Sequence, residues 1–137
     1  MKPVLFSLTI VATFVLQSFT APVTPAPNFT NWDKLGQKQV NFRLDKDVIQ
    51  VGVVEGLFSA IKLKVNGGDI NMHKLIVHFD NGGTQDVVIR KNIPAGGETR
   101  VIELKGANPR IIRKITMVYE KENRNDTVTV SAWGRHQ

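Results

Sequence analysis

Residues 61–89 read IKLKVNGGDINMHKLIVHFDNGGTQDVVI, and their phase decides the architecture. Ile61, Leu63 and Val65 alternate with Lys62, Lys64 and Asn66, the pattern of a strand with one buried and one wet face. Leu75, Val77 and Phe79 alternate with Lys74, Ile76, His78 and Asp80, and Val87 and Ile89 follow. The breaks are Asn66-Gly67-Gly68-Asp69 and Asn81-Gly82-Gly83, with Ala95-Gly96-Gly97-Glu98 further on. Glycine pairs supply the positive φ that tight hairpins demand.

The same period runs outward in both directions. Upstream, VIQVGVV at 48–54 puts Ile49, Val51 and Val53 on one phase. Downstream come Ile102 and Leu104, then Ile111, Ile115, Met117 and Tyr119, then Val128, Val130 and Ala132. No window sustains a 3.6-residue period. About seven to nine short strands, most with one apolar face, predict an all-β domain. Two antiparallel sheets packed face to face, a jelly-roll-like β-sandwich, fit best, with a partly closed barrel as the alternative.

Ahead of this domain the chain changes character. Met1-Lys2 is followed by an apolar run from Val4 to Leu16, broken only by Ser7, Thr9 and Thr13, and then by the small-residue region Ser18–Ala21. That run is shorter than the roughly 20 residues of a membrane span and matches a secretory signal. Residues 1–21 are therefore expected to be a signal peptide cleaved after Thr20 or Ala21, with no transmembrane segment left afterwards. Residues 22–31, PVTPAPNFTN, hold prolines at 22, 25 and 27 and read as an extended spacer. Residues 32–137 form the domain. Lys2 is the only charge in the first 21 residues, so the remainder carries 17 basic against 12 acidic side chains, a net +5. Such a balance favours acidic partners. The chain has no cysteine, so its core must hold without disulfides, as suits a bacterial periplasm or exterior.

Catalytic resources are few. Beyond the signal the serines are Ser59 and Ser131, neither in a nucleophile-elbow context. His73 and His78 are five apart, so on a regular strand they point to opposite faces and cannot clip one metal. Asp80, Asp86, Glu103 and Glu120 occupy hydrophilic phases and read as surface. Asp45-Lys46-Asp47 lacks the glycine and distal glutamate of a calcium loop. No catalytic residue, metal site or cofactor is predicted.

The unusual residues are charges in apolar phase. Arg100 is in register with Ile102 and Leu104, Arg113 with Ile111, Ile115 and Met117, and Asp47 with Ile49 and Val51. An inward charge is costly unless paired. Three explanations compete: strand ends that reach solvent with a bulge at Arg113, an Arg–Asp bridge, or an arginine-lined pocket for an anionic or sugar ligand. Trp32 and Trp133 stand at opposite ends of the domain sequence and meet if the terminal strands are neighbours. Tryptophans in so small a domain usually plug the core, whereas exposed ones act as stacking platforms for sugars. Trp133 shares its phase with Thr127, Thr129 and Ser131 and is the one expected to face outward.

Several of these residues stand in a recurrent order: Trp32-x-x-Leu35-Gly36, Asp45-x-Asp47-x-Ile49-x-Val51, and Gly56-x-Phe58-x-x-Ile61-x-Leu63-x-Val65. Ile93-Pro94-x-Gly96-Gly97-x-Thr99-Arg100-x-Ile102-x-Leu104 and Arg110-x-Ile112-x-x-Ile115 follow. The pattern resembles a family of small exported bacterial proteins with no assigned function. The resemblance spans residues 32–120, leaving out the spacer and the tail after Tyr119. It implies a β-sandwich, adds weight to Arg100 and Arg110, and supplies no activity.

The expectation is a non-catalytic binding module for an envelope or extracellular glycan, or for a protein. Its candidate ligand-binding residues are Arg100, Arg110, Arg113 and Trp133. The alternative is a structural or stress-related periplasmic protein held to anionic envelope polymers by charge, and the third reading is a hydrolase of unrecognised type. No specific nucleic-acid partner is expected.

Overall fold

The computed structural model describes residues 31–51, 56–106 and 110–136. The expected signal peptide, nearly all of the spacer and the second half of the 48–54 run lie outside the described residues. Eight strands follow one another: β1 (Trp32–Gln39), β2 (Lys46–Gln50), β3 (Phe58–Asn66), β4 (Ile70–Phe79), β5 (Thr84–Ile93), β6 (Ile102–Glu103), β7 (Ile112–Tyr119) and β8 (Thr129–His136). They form two four-stranded sheets, β1-β8-β3-β6 and β2-β7-β4-β5. Every pairing is antiparallel.

The connectivity has one rule. β4 pairs with β5, β3 with β6, β2 with β7 and β1 with β8. The chain is thus one long hairpin, folded at the β4–β5 turn and wrapped into two layers, which is the order of a jelly roll. Gly82, at φ 91°, makes the turn at its tip, where Gly83 N donates to Asn81 Oδ1. Wrapping puts β1 beside β2 on one flank and β6 beside β5 on the other. At the first flank a Cβ on Gly36 would stand 2.2 Å from Gln50 O, so only glycine admits the close approach. At the second, the Gln85 side chain stands in for a strand: its Nε2 donates to Glu103 O at 3.0 Å and its Oε1 accepts from Lys105 N at 2.8 Å.

The inward phase fills the space between the sheets. Ile61, Leu63 and Val65 face Leu75 and Val77, and all five are fully buried, as are Ile115, Met117, Val128, Val130 and Ala132. One half-buried polar contact ties β7 to β2 and to the β1–β2 connection. The Tyr119 hydroxyl lies 2.7 Å from Asp47 Oδ2 and 2.8 Å from Asn41 O. Asp47 therefore faces a tyrosine and not an arginine, so of the three competing explanations the Arg–Asp bridge is not formed at Asp47 among the described residues. Burial, reinforced by Asp47, raises the Tyr119 phenol well above its ordinary value.

Bulges account for the other departures. β7 pairs Ile112 with Phe79 and Lys114 with His78, so Arg113 is an extra residue and the phase changes there. Ile112 is consequently buried and Ile111 exposed, the reverse of the simple alternation. A second bulge, between Met72 and Lys74, breaks the parity argument for the histidines.

Candidate functional site

The outer face of the β1-β8-β3-β6 sheet carries an aromatic and cationic array. Trp32 on β1 pairs with Arg135 on β8, and Trp133 pairs with both Lys34 on β1 and Lys62 on β3. The face follows from the register of β3 and β8, which runs unbroken from Ala60 to Asn66 and places Lys62 and Lys64 outward beside Trp133 and Ser131. Neither indole belongs to the core, so neither is a core plug. Each lies half-buried beneath a lysine: Lys62 Nζ is 4.5 Å from the Trp32 ring centre and Lys64 Nζ 5.3 Å from that of Trp133.

The polar groups are held in place. Trp133 Nε1 donates to Ser131 Oγ at 3.0 Å, which fixes the indole against its own strand. Arg135 Nη2 reaches both Glu103 carboxylate oxygens, at 2.9 and 2.8 Å, while its Nε donates to Ser59 Oγ at 3.1 Å. Glu98 lies 3.3 Å from Lys62 Nζ and 3.8 Å from Lys64 Nζ. The result is a flat, ordered surface with two aromatic plates, three cations directly around them and two carboxylates at its β6 side. Aromatic rings, ammonium groups and carboxylates thus stand side by side on one face.

The residues singled out in the sequence are not gathered together. Trp133 stands on this face. Arg100 is exposed ahead of β6 and donates through Nη2 to Val88 O at 3.0 Å. Arg110 exchanges backbone hydrogen bonds with Phe58, lays its guanidinium 3.6 Å over the Phe79 ring and donates to Lys105 O at 2.8 Å. Arg100 and Arg110 line two adjoining hollows of about 400 and 370 Å³ along the β5–β6 flank, which share Gln85, Asp86 and Lys105. Arg113 is exposed at its bulge, on the other sheet from Trp133. Lys62, Lys64 and Arg135 were missed, although the lysines' outward phase beside the outward phase of Trp133 was a usable signal.

No group of three or more histidine, aspartate or glutamate side chains among the described residues could hold a metal. His78 Nε2 lies 3.0 Å from Thr116 Oγ1 across the β4–β7 pairing. Burial, with help from Lys114 and Arg113, lowers the pKa of this imidazole. Among the described residues no carboxylate is hydrogen-bonded to its ring. Near the C-terminus His136 stacks on Phe58 at 4.6 Å and contacts Asp33, pinning β8 to β1. Arg124 closes the tail after β7, paired with Asp69, Glu122 and Asp126 and lying 4.1 Å over the Phe42 ring. No helix among the described residues is long and apolar enough to cross a membrane.

A solved structure from work entitled "Structural and functional characterization of Pseudomonas aeruginosa AlgX" shares the fold at a TM-score of 0.51 and 12% identity. The match covers 73% of this chain and 26% of that one, so this chain spans about a quarter of the length of that relative. No curated protein sequence matches. The family pattern described as Domain of unknown function (DUF2541) matches residues 6–134, extending over the spacer and most of the tail as well as residues 32–120. The chain belongs to this DUF2541 family.

Proposed function

We propose that the protein is an exported, non-catalytic binding module that takes an acidic polysaccharide along the outer face of the β1-β8-β3-β6 sheet. The observation that carries this reading is the pair of half-buried indoles on neighbouring strands, each with a lysine ammonium over its ring. A flat face suits an extended polymer better than a small molecule, because successive sugar rings can stack without a pocket. Cations beside the plates favour chains with carboxylate substituents. The net +5 of the domain and spacer works in the same direction. Non-catalytic action is supported by the fate of the serines: Ser59 is bonded to Arg135 and Ser131 to Trp133, and among the described residues no histidine is hydrogen-bonded to either. Export rests on the apolar run Val4–Leu16. Mass spectrometry of the protein recovered from its host should show the first 20 or 21 residues removed.

Affinity electrophoresis through gels holding a polyuronate, with neutral dextran as control, tests the reading. The polyuronate should retard the protein and dextran should not, and Trp32→Ala with Trp133→Ala should abolish retardation. Retardation unaffected by the double variant but erased by moderate salt would instead favour attachment by charge alone. No retardation in either gel would overturn the polysaccharide reading.

A further inference from the structure

The outer face of the other sheet is not flat. Along β4, Met72 pairs with Tyr119 and Lys91, and Lys74 pairs with Val118 and Val88. His73 is therefore an extra residue against β7, while on the other side Ile89 and Arg90 stand against His73 alone. Two bulges thus lie side by side in mid-sheet. Arg90 has φ 43° and is the one non-glycine residue with positive φ among those described. An arginine in this conformation is unfavourable and persists only where its surroundings hold it. Glycine would serve the same turn without strain.

The bulges open a groove of about 520 Å³, lined by Asn71, His73, Lys74, Val88, Arg90 and Val118. That volume lies within the range of small-molecule sites. Its apolar wall includes Val88, which is 56% exposed, the highest value among the exposed large hydrophobic residues described. Among the described residues none of His73, Lys74 and Arg90 makes an ion pair. The neighbouring carboxylate, Glu120, is occupied by Asn71 Nδ2 at 2.9 Å. Cationic side chains without partners, a strained backbone that aims one of them and an exposed apolar wall are here in one hollow.

We propose that this groove binds a small organic carboxylate, its oxyanion taken by Arg90 and Lys74 and its apolar body laid against Val88 and Val118. The planar guanidinium fork matches a carboxylate in two parallel hydrogen bonds, and Lys74 adds a second positive charge. This site is separate from the tryptophan face, stands on the other sheet and takes a single small molecule in place of a polymer.

Titration of the ¹⁵N-labelled protein with benzoate, and separately with inorganic phosphate, tests it. Benzoate should give saturable amide shifts at His73, Lys74 and Arg90, and phosphate should bind at least about tenfold more weakly for want of an apolar body. Arg90→Gly should weaken benzoate binding at least about tenfold while melting at the same temperature or higher, because glycine accepts the local φ. Should that variant not fold, Lys74→Met must show the same weakening. Absence of saturation, equal binding of phosphate, or unchanged affinity in the folded variant would overturn the proposal. The readout sits on residues remote from the two tryptophans, so failure of the polysaccharide reading leaves it standing, and the reverse holds as well.

Discussion

The two outer faces of this sandwich rest on one core and are built from similar strands, yet they offer different surfaces. On the β1-β8-β3-β6 side bulges lie at Leu35 in β1 and Ser59 in β3, but the register of β3 against β8 is unbroken from Ala60 to Asn66, side chains stand in rows, and two lysines and an arginine share two glutamates. On the β2-β7-β4-β5 side an extra residue in β4 and another in β5 break the rows, and a hollow with uncompensated cations appears. A face with isolated bulges keeps its rows, and one where two bulges lie side by side can hold a site. The difference turns on very few inserted residues, because side-chain period is two and each insertion re-aims everything beyond it.

Deleting His73 attacks that difference most directly. Without the extra residue Met72 and Lys74 become neighbours, β4 alternates without interruption against β7, and Ile70 and Met72 keep their places in the core, so the rows close up and the hollow between the bulges is lost. The expected loss is that of saturable benzoate binding as a whole, with the folded state retained. Amide-shift titration measures it, and undiminished binding in the folded variant would mean that the bulge does not make the hollow.

Tyr119→Phe is next in size. Tyr119 pairs with Met72 at the edge of the bulge, and its hydroxyl serves Asp47 and Asn41. Removing it should cost about 1–3 kcal/mol by leaving a half-buried carboxylate short of a donor. The pH dependence has a definite sign. Burial and Asp47 raise this phenol above its ordinary 10.0 in the folded protein. Its contribution is complete below pH 10 and is lost as the pH climbs toward the folded value, since the unfolded chain ionises first. Above pH 10 the unfolding free energy of the wild type should fall more steeply than that of Tyr119→Phe, measured by urea midpoints.

Lys62→Met on the flat face should have the smallest effect. Its ammonium is shared between Trp32 and Glu98, with a fifth of its side chain in solvent. Such surface contacts contribute ~0.2–1 kcal/mol. Thermal melts should barely move, whereas polyuronate retardation should weaken. A large stability loss would show the face to be structural scaffolding and not a binding surface.

Much of this was legible in the chain. Ile61-x-Leu63-x-Val65 and Leu75-x-Val77-x-Phe79 point inward as their alternation predicts. The run Ile111-Ile112-Arg113-Lys114 signalled its own bulge, since two adjacent aliphatics cannot both face the core of a regular strand. The bulge at His73 left a fainter signal: Asn71-Met72-His73-Lys74 holds no glycine, but Ile70 and Met72 stand on one phase and Leu75, Val77 and Phe79 on the other. Its cause lies partly in β7, which skips that residue, and so parity put His73 and His78 on opposite faces when the bulge makes parity meaningless between them. The arginines misled for a related reason. Arg100 and Arg110 share a flank only because β5 and β6 end as facing edges, and Arg113 leaves the apolar phase as soon as its strand bulges.

Period-two alternation, glycine-rich turns and the absence of helical periodicity are properties of neighbouring residues, so the amino-acid sequence alone determined that this domain is all-β and which residues form its inner layer. Which strand lies beside which is a property of the whole chain, settled by how the long hairpin wraps to bury both sheets at once. Only that wrapping brought Trp32 and Lys62 alongside Trp133, and only cross-strand register turned Arg90 into a strained residue at the rim of a hollow. Local pattern carries orientation along a strand but no information about the partner, and a binding surface is made of partners.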